Sequence, residues 1–331
     1  MRIGNVVVDP PLILAPMARI TNWPFRLLCR RAGAGLVTSE LISANALHFG
    51  STKTHVLLRC YPEEQPLAVQ IFGADPTLMA DAAQVAVEAG AAIVDLNMGC
   101  PVPKVRRAGA GSALLANHPL AAQICARVAA AVSVPVTAKI RAGLRVGDDS
   151  YLELGRRLAD SGATAITLHA RSANQGYRSL ARWDTIARLV AAVEVPVIGN
   201  GDVAAPGDPA RLMAETGCVA AMVGRAALGR PGILAQMAAN LRGEELPPWP
   251  RRFLLAVAIL HAQMLVEYLG EFRAVREMRA QAVYYTRGLP GSARVRERLV
   301  HATTLAEMSG ILRELIAALP GEGEPLAFSP A

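Results

Sequence analysis

Strand-length apolar runs alternate with stretches of helical period along the chain as far as Val223. Near-continuous apolar runs occupy 12–15, 36–38, 67–71, 91–96, 165–168 and 220–223, and two more follow Pro135 and Pro196. Runs that are apolar at every position, rather than at alternate ones, belong to parallel strands covered on both faces. Three of them share one lead-in of an acidic residue, a small residue and glycine: Glu88-Ala89-Gly90, Asp160-Ser161-Gly162 and Glu215-Thr216-Gly217. Each glycine falls where a helix ends and a left-handed residue is needed. Pro135 and Pro196 open strands in two copies of Ala-Ala-Val-x-Val-Pro-Val, at a position with no ladder donor to lose. Asp75-Pro76 and Asn117-His118-Pro119 carry capping side chains at helix starts. After the first of these, Leu78, Met79, Ala82, Ala83, Val85 and Ala86 keep helical spacing. About eight strands alternating with helices predict an α/β fold, a TIM (β/α)8 barrel over 1–243.

The pattern changes beyond that point. Residues 244–250, with three prolines, read as a linker. The segments 253–268, 272–287 and 295–319 have helical periodicity and no strand signals, which predicts a small all-helical domain over 251–319. The Pro/Gly-rich stretch 320–331 is expected to be a disordered tail. In the helical region Arg273, Arg276, Arg279, Arg287, Arg294, Arg296 and Arg298 face only Glu277 and Glu297. A net charge of +7 suits a polyanionic partner. That charge is nearly all arginine, a bias genome composition also produces, because Lys53, Lys104 and Lys139 are the only lysines. At 52% hydrophobic the chain can bury a large core. No apolar run reaches membrane-spanning length and the N-terminus lacks a signal-peptide pattern, so a cytoplasmic location is expected. The five cysteines are scattered without C-x-x-C spacing, which argues against a disulfide framework and against structural zinc.

A (β/α)8 barrel keeps its chemistry at the C-terminal ends of its strands. Here almost every strand delivers a polar residue to that rim. The first ends in Pro16-Met17-Ala18, the third at Gln70, the fourth at Asn97 and Cys100, and the fifth at Lys139 and Arg141. The sixth ends at His169 and Arg171, the seventh in Asn200-Gly201-Asp202, and the eighth in Gly224-Arg225. Glycines after the last two strands match a phosphate site built from backbone N–H groups, with Arg225 adding charge. Lys139 reads as a cation for a ring carbonyl or a reduced flavin anion. His169, Gln70 and Lys139 then form a ring of polar groups around an isoalloxazine. Of the cysteines, Cys29, Cys125 and Cys218 fall on helices or helix ends and read as packing residues. Cys60 has no evident place. Cys100 sits on a loop before a proline, where a thiol can move a proton, attack a substrate or bind a metal.

From about residue 2 to 315 the chain resembles bacterial tRNA-dihydrouridine synthases, most closely the B-type subfamily. The resemblance rests on Ala15-Pro16-Met17, Thr21 to Arg26, Val69-Gln70-Ile71, Asp95 to Pro101 and Lys104-Val105. It continues through Gly109 to Leu115, Lys139-Ile140-Arg141, His169, Arg171, Gln175, Tyr177, Trp183, Gly199 to Asp202 and Gly224-Arg225-Ala226. It implies an enzyme that binds FMN in the barrel mouth and reduces a uridine of tRNA to 5,6-dihydrouridine, with NADPH as reductant. By the same resemblance Pro16, Met17, Ala18, Gln70, Lys139, Asn200, Gly201, Asp202, Gly224 and Arg225 hold FMN, and His169 lies against the flavin. Cys100 is the proton donor, Asn97 and Arg141 face the uracil, and Arg279 contacts the RNA.

The match has departures. Asn22 stands where the subfamily often has Asp, and Ala170 where Gly usually separates the His from the Arg. In the helical region Ala280 and Gln281 replace a Lys and a His that follow the Arg in a stretch facing RNA in the family. Which uridine is modified, and the choice of RNA, therefore stay open. So do two other readings: an FMN barrel acting on a free pyrimidine or other small molecule, and a catalytically silent RNA-binding homologue. Neither a membrane nor an obligate protein partner is signalled.

Overall fold

The structure is a computed structural model, which describes residues 1–289 and 291–319. The expected tail, 320–331, lies outside the described residues. Its strands are β1 (Arg2–Ile3), β2 (Val6–Val7), β3 (Leu12–Leu14), β4 (Leu36–Thr38), β5 (Ile42–Ser43) and β6 (Leu67–Phe72). They continue as β7 (Ile93–Asn97), β8 (Val136–Arg141), β9 (Ala165–His169), β10 (Val197–Asn200) and β11 (Ala220–Val223). Parallel pairing runs β3-β4-β6-β7-β8-β9-β10-β11 and returns to β3, so eight strands close a barrel. Two short pieces escape a reading by apolar runs. One is β5, which pairs with the end of β6, and the other is the antiparallel β1–β2 hairpin.

Side-chain alternation divides every barrel strand between two environments. Leu12, Leu14, Val94, Leu96, Ala138, Ile140, Ile166 and Leu168 point outward into a large core shared with the helices. Ile13, Leu36, Ala68, Ile93, Ala165, Ile198, Ala220 and Met222 point inward and fill one end of the barrel. Ile3 and Val8 from the hairpin region join this inner cluster and close that end. Further along the same inward faces the residues become polar: Thr38, Gln70, Asp95, Asn97, Thr137, Lys139, Thr167, His169 and Asn200, all buried or half-buried. The barrel is therefore plugged with hydrocarbon at one end and lined with hydrogen-bonding groups at the other.

Local chemistry sets the helix boundaries as expected. Asp75 accepts from the amides of Thr77 and Leu78 at the start of Pro76–Glu88, and Asn117 accepts from Leu120 at the start of His118–Ala131. Gly90, Gly162 and Gly217 all have positive φ, at 103°, 96° and 72°. Asn22 caps Trp23–Arg31 by accepting from Phe25, while its Nδ2 has no partner among the described residues.

Among the described residues, four helices follow the barrel: Arg251–Leu269, Glu271–Tyr285, Ser292–His301 and Leu305–Ala318. The single helix expected over 295–319 is two. Thr304 accepts from the Glu307 amide and Glu307 accepts from Thr303, a local exchange that starts a new helix. The expectation about membrane-length segments also needs correction. Arg251–Leu269 has 19 residues and a mean hydropathy of 1.4, long and apolar enough to span a bilayer by length and composition. Its apolarity serves a core instead, since 56% of that window is buried and Leu255, Val257, Ala258 and Leu265 join the helical cluster. Residues 244–248 are exposed, and the segment is tied down at two points: the Leu246 carbonyl accepts from Gln236, and Trp249 touches both apolar cores.

Candidate active site at the barrel mouth

The polar end of the barrel is built on a few bonds that cross it. Lys139 on β8 donates its Nζ to Asn200 Oδ1 on β10, 2.9 Å away, past the intervening β9. That geometry requires both side chains to lie inside the barrel. Asn200 Nδ2 in turn donates to the Met222 carbonyl, 2.8 Å away. On the opposite arc Gln70 donates to Asp95 Oδ2 at 2.6 Å and accepts from Asn97 Nδ2 at 2.8 Å. Thr137 donates to the other oxygen of Asp95 at 2.6 Å.

Asn97 links this layer to the thiol-bearing loop, because its Oδ1 accepts the Cys100 amide at 3.0 Å. Arg141 Nε holds the same loop through the Gly99 carbonyl at 2.9 Å, and Ser112 donates its amide to the Cys100 carbonyl at 3.0 Å. Gly111 makes this seat possible. A Cβ there would lie 2.7 Å from the Cys100 carbonyl oxygen, and its φ of +60° suits glycine.

Charge at the mouth is mostly positive. Burial lowers the Lys139 ammonium to about 7, helped by Arg141 and opposed by Asp95. Burial likewise raises the Asp95 carboxyl to about 6 against its hydrogen bonds and Lys139. His169 is held far below its ordinary value, first by burial and then by Lys139, Arg141, Arg171 and Arg225, so its ring is neutral. Lys139, Arg141, Arg171 and Arg225 thus outnumber Asp95 and Asp202, and the mouth suits an anionic, acceptor-rich ligand.

The loops after β10 and β11 complete the rim. Asp202, with a left-handed φ of 55°, accepts two bonds from Arg171 at 2.6 and 2.7 Å and one from the Ala181 amide at 2.7 Å. Its carboxylate is therefore already partnered, with Arg225 a further 3.5 Å away. Arg225 is half-exposed and lies over the Tyr177 ring, 4.6 Å from its centroid. The Gly201 carbonyl accepts from Trp183 Nε1, 2.8 Å away. Pro16, Met17 and Ala18 lie on the loop after β3, where the Met17 amide donates to Thr21 Oγ1 at 3.0 Å. Gly224 follows β11 directly and faces Ala15, whose Cβ lies 3.6 Å from the position of a Cβ at 224.

The fold gathers all of these sequence-derived positions at one end of the barrel, with one exception. Arg279 sits on Glu271–Tyr285 and donates Nε to the Ala302 carbonyl at 2.8 Å, tying down the break between the last two helices. Closer to the mouth on that helix is the buried Gln281, which donates to the Arg19 carbonyl at 3.4 Å. A reading by strand ends overlooks Asp95, which lies one inward step below Asn97. Its signal is an acidic residue inside an otherwise apolar strand, since only a site or a partner tolerates one there. Ala170 fits without distortion: its methyl is buried and its amide donates to the Asn200 carbonyl at 2.9 Å.

Comparison with known proteins agrees with this arrangement. The family model described as "Dihydrouridine synthase (Dus)" matches residues 13–319. A tRNA-dihydrouridine synthase B of Xanthomonas axonopodis pv. citri is 39% identical over 100% of both chains. One of Pseudomonas aeruginosa is 38% identical over 99% of each, and a probable tRNA-dihydrouridine synthase of Mycobacterium tuberculosis is 36% identical over 97% of this chain and 86% of its own. Among solved structures, histamine dehydrogenase from Rhizobium sp. 4-9 superimposes with a TM-score of 0.56 at 12% identity. It covers 79% of this chain, which spans half (50%) of that protein. At such identity the likeness speaks for the fold alone. The chain belongs to the dihydrouridine synthase family, a family of flavin-dependent oxidoreductases.

Proposed function

We propose that this protein reduces a uridine in tRNA to 5,6-dihydrouridine, with FMN in the barrel mouth, NADPH as reductant and the cytoplasm as its place of action. The observation that carries the proposal is the double use of Asn97, which joins the polar layer through Gln70 and fixes the Cys100 loop through its amide. A thiol-bearing loop is thereby anchored to a cationic, hydrogen-bonding layer at the barrel mouth.

The residues present fit the flavin. Lys139 and Asn200 offer buried donors for ring carbonyls, and a cationic side chain there suits a ring that gains negative charge on reduction. Gly201 and Gly224 offer backbone amides near Arg225 for a phosphate, and a Cβ at Gly201 would lie 3.3 Å from the His169 ring. Pro16, Met17, Ala18, Gln70 and His169 complete the cradle. Asp202 holds it indirectly, by fixing Arg171. When bound, FMN supplies a hydride for C6 of the uracil. Cys100 then gives its proton to C5, and the thiolate left behind regains a proton from solvent. A thiol is suited to this, being protonated at neutral pH yet leaving a stable anion. Arg141 and Asn97 orient the base, and the neutral His169 packs beside the ring without adding charge. The uridine must leave its stack to reach the mouth, at a cost of a few kcal/mol. The helices over 251–319, Arg279 among their basic residues, offset that cost by holding the RNA backbone.

The test is dihydrouridine measured by mass spectrometry after incubation with NADPH and unmodified tRNA. Cys100→Ala should keep its yellow flavin and lose product formation by roughly a hundred- to ten-thousand-fold. Product at the wild-type rate would reject the acid role, and equal turnover of free uridine would reject tRNA as the substrate.

A further inference from the structure

Arg19 lies on the loop after β3, one residue beyond Ala18, with a left-handed φ of 62°. A side chain is disfavoured at such a position, and glycine is the residue that takes it without strain. The backbone there is clamped from two sides. Its amide donates to Glu40 Oε2 at 2.5 Å, and its carbonyl accepts from Gln281 of the helical region. Glu40 is buried beyond β4 and spends an oxygen on that amide, forming no ion pair with the Arg19 guanidinium. The side chain is exposed and has no hydrogen-bond, ion-pair or ring partner among the described residues. An unfavourable backbone conformation thus presents an unpaired cation at the seam between the mouth and the helices. The strained backbone therefore serves no side-chain hydrogen bond or ion pair of Arg19 among the described residues.

We infer that Arg19 binds a phosphate of the RNA strand beside the extruded uridine, at the point where that strand passes from the helical region to the mouth. The inference rests on the reading of tRNA as substrate and adds a positioning contact to it. An arginine fork matches a phosphate, and a strand that reaches both the mouth and the helical region passes this seam. Gln281 of the helical region holds the Arg19 backbone in position.

The experiment uses the FMN-loaded enzyme and fluorescently labelled, unmodified tRNA, with Kd measured over a range of salt concentrations. Arg19→Gly relieves the backbone and removes the charge. It should weaken tRNA binding about five- to tenfold and reduce the salt slope by about one. Its melting temperature should stay within about 2 °C of wild type, and reduction of the flavin by NADPH should be unchanged. Arg19→Lys should recover part of the affinity. Unchanged Kd and salt slope in Arg19→Gly, with wild type binding and modifying tRNA, would overturn this inference alone. Failure of the wild type to bind tRNA would overturn both it and the proposed substrate.

Discussion

Lys139 shows how one buried side chain ties the site to pH. In the ligand-free protein burial brings its ammonium from an ordinary 10.5 down to about 7. A group whose pKa is depressed on folding in this way adds stability above its unfolded value and loses it as pH falls through the folded value. The melting temperature of the FMN-free protein should therefore climb between about pH 7 and pH 9, and Lys139→Gln should flatten the climb. Asp95 does not confound this window, because its raised pKa of about 6 places its loss of stability at lower pH. Ligand binding should run the other way. An anionic, acceptor-rich ligand takes the protonated lysine, so above pH 7 FMN binding must capture a proton. Its Kd should rise by up to about tenfold per pH unit in the wild type. A pH-independent Kd, read by flavin fluorescence, would remove Lys139 from the cofactor site.

Among the elements, the barrel strands carry two messages at once. Their outward residues are uniformly apolar, while their inward residues change from aliphatic to polar along the strand. An apolar run reveals the first message and hides the second, so that Asp95 in β7 and Thr137 in β8 face the mouth without standing at a strand end. The helix pair at the chain's end makes the converse point, since continuous helical periodicity hid a break at Thr303-Thr304. The break depends on capping by Thr304. Thr304→Ala should lower unfolding free energy by about 1 kcal/mol in urea titrations. A change of less than a few tenths would mean that packing of Met308, Ile311 and Leu312, rather than the cap, decides where Leu305–Ala318 begins.

At the scale of the molecule, the helical region and barrel meet through close backbone contact and shared aromatic packing. Trp23–Arg31 faces both ways, with Phe25 and Cys29 in the barrel core and Leu28 in the helical one. Tyr268 donates to the Val56 carbonyl at 2.7 Å, and His261 stacks on Phe25 with centroids 5.7 Å apart. The tightest approach is at Gly229, where a Cβ would lie 2.3 Å from the Tyr284 carbonyl carbon at a φ of +63°. Gly229→Val should cost roughly 2–5 kcal/mol through strain and overpacking. Hydrogen exchange should then quicken in 251–319 while strands β6 to β9 stay protected. Uniform loss of protection would show instead that the two parts unfold as one unit.

The alternation of short apolar runs with capped, helix-period stretches was enough to determine an eight-stranded barrel followed by helices, because both signals are local. Polar residues at strand ends marked the mouth for the same reason, since strand ends in a barrel converge whatever their order in the chain. The partners of those residues came only from the closed barrel. Lys139 meets Asn200 across an intervening strand, Asp202 is taken up by Arg171, and the Cys100 loop hangs on Asn97 and Arg141. The buried Arg26–Glu64 pair, joined at 2.5 and 2.9 Å, and the clamp on Arg19 likewise unite residues far apart in the chain. Such contacts depend on register and closure, which no local pattern encodes.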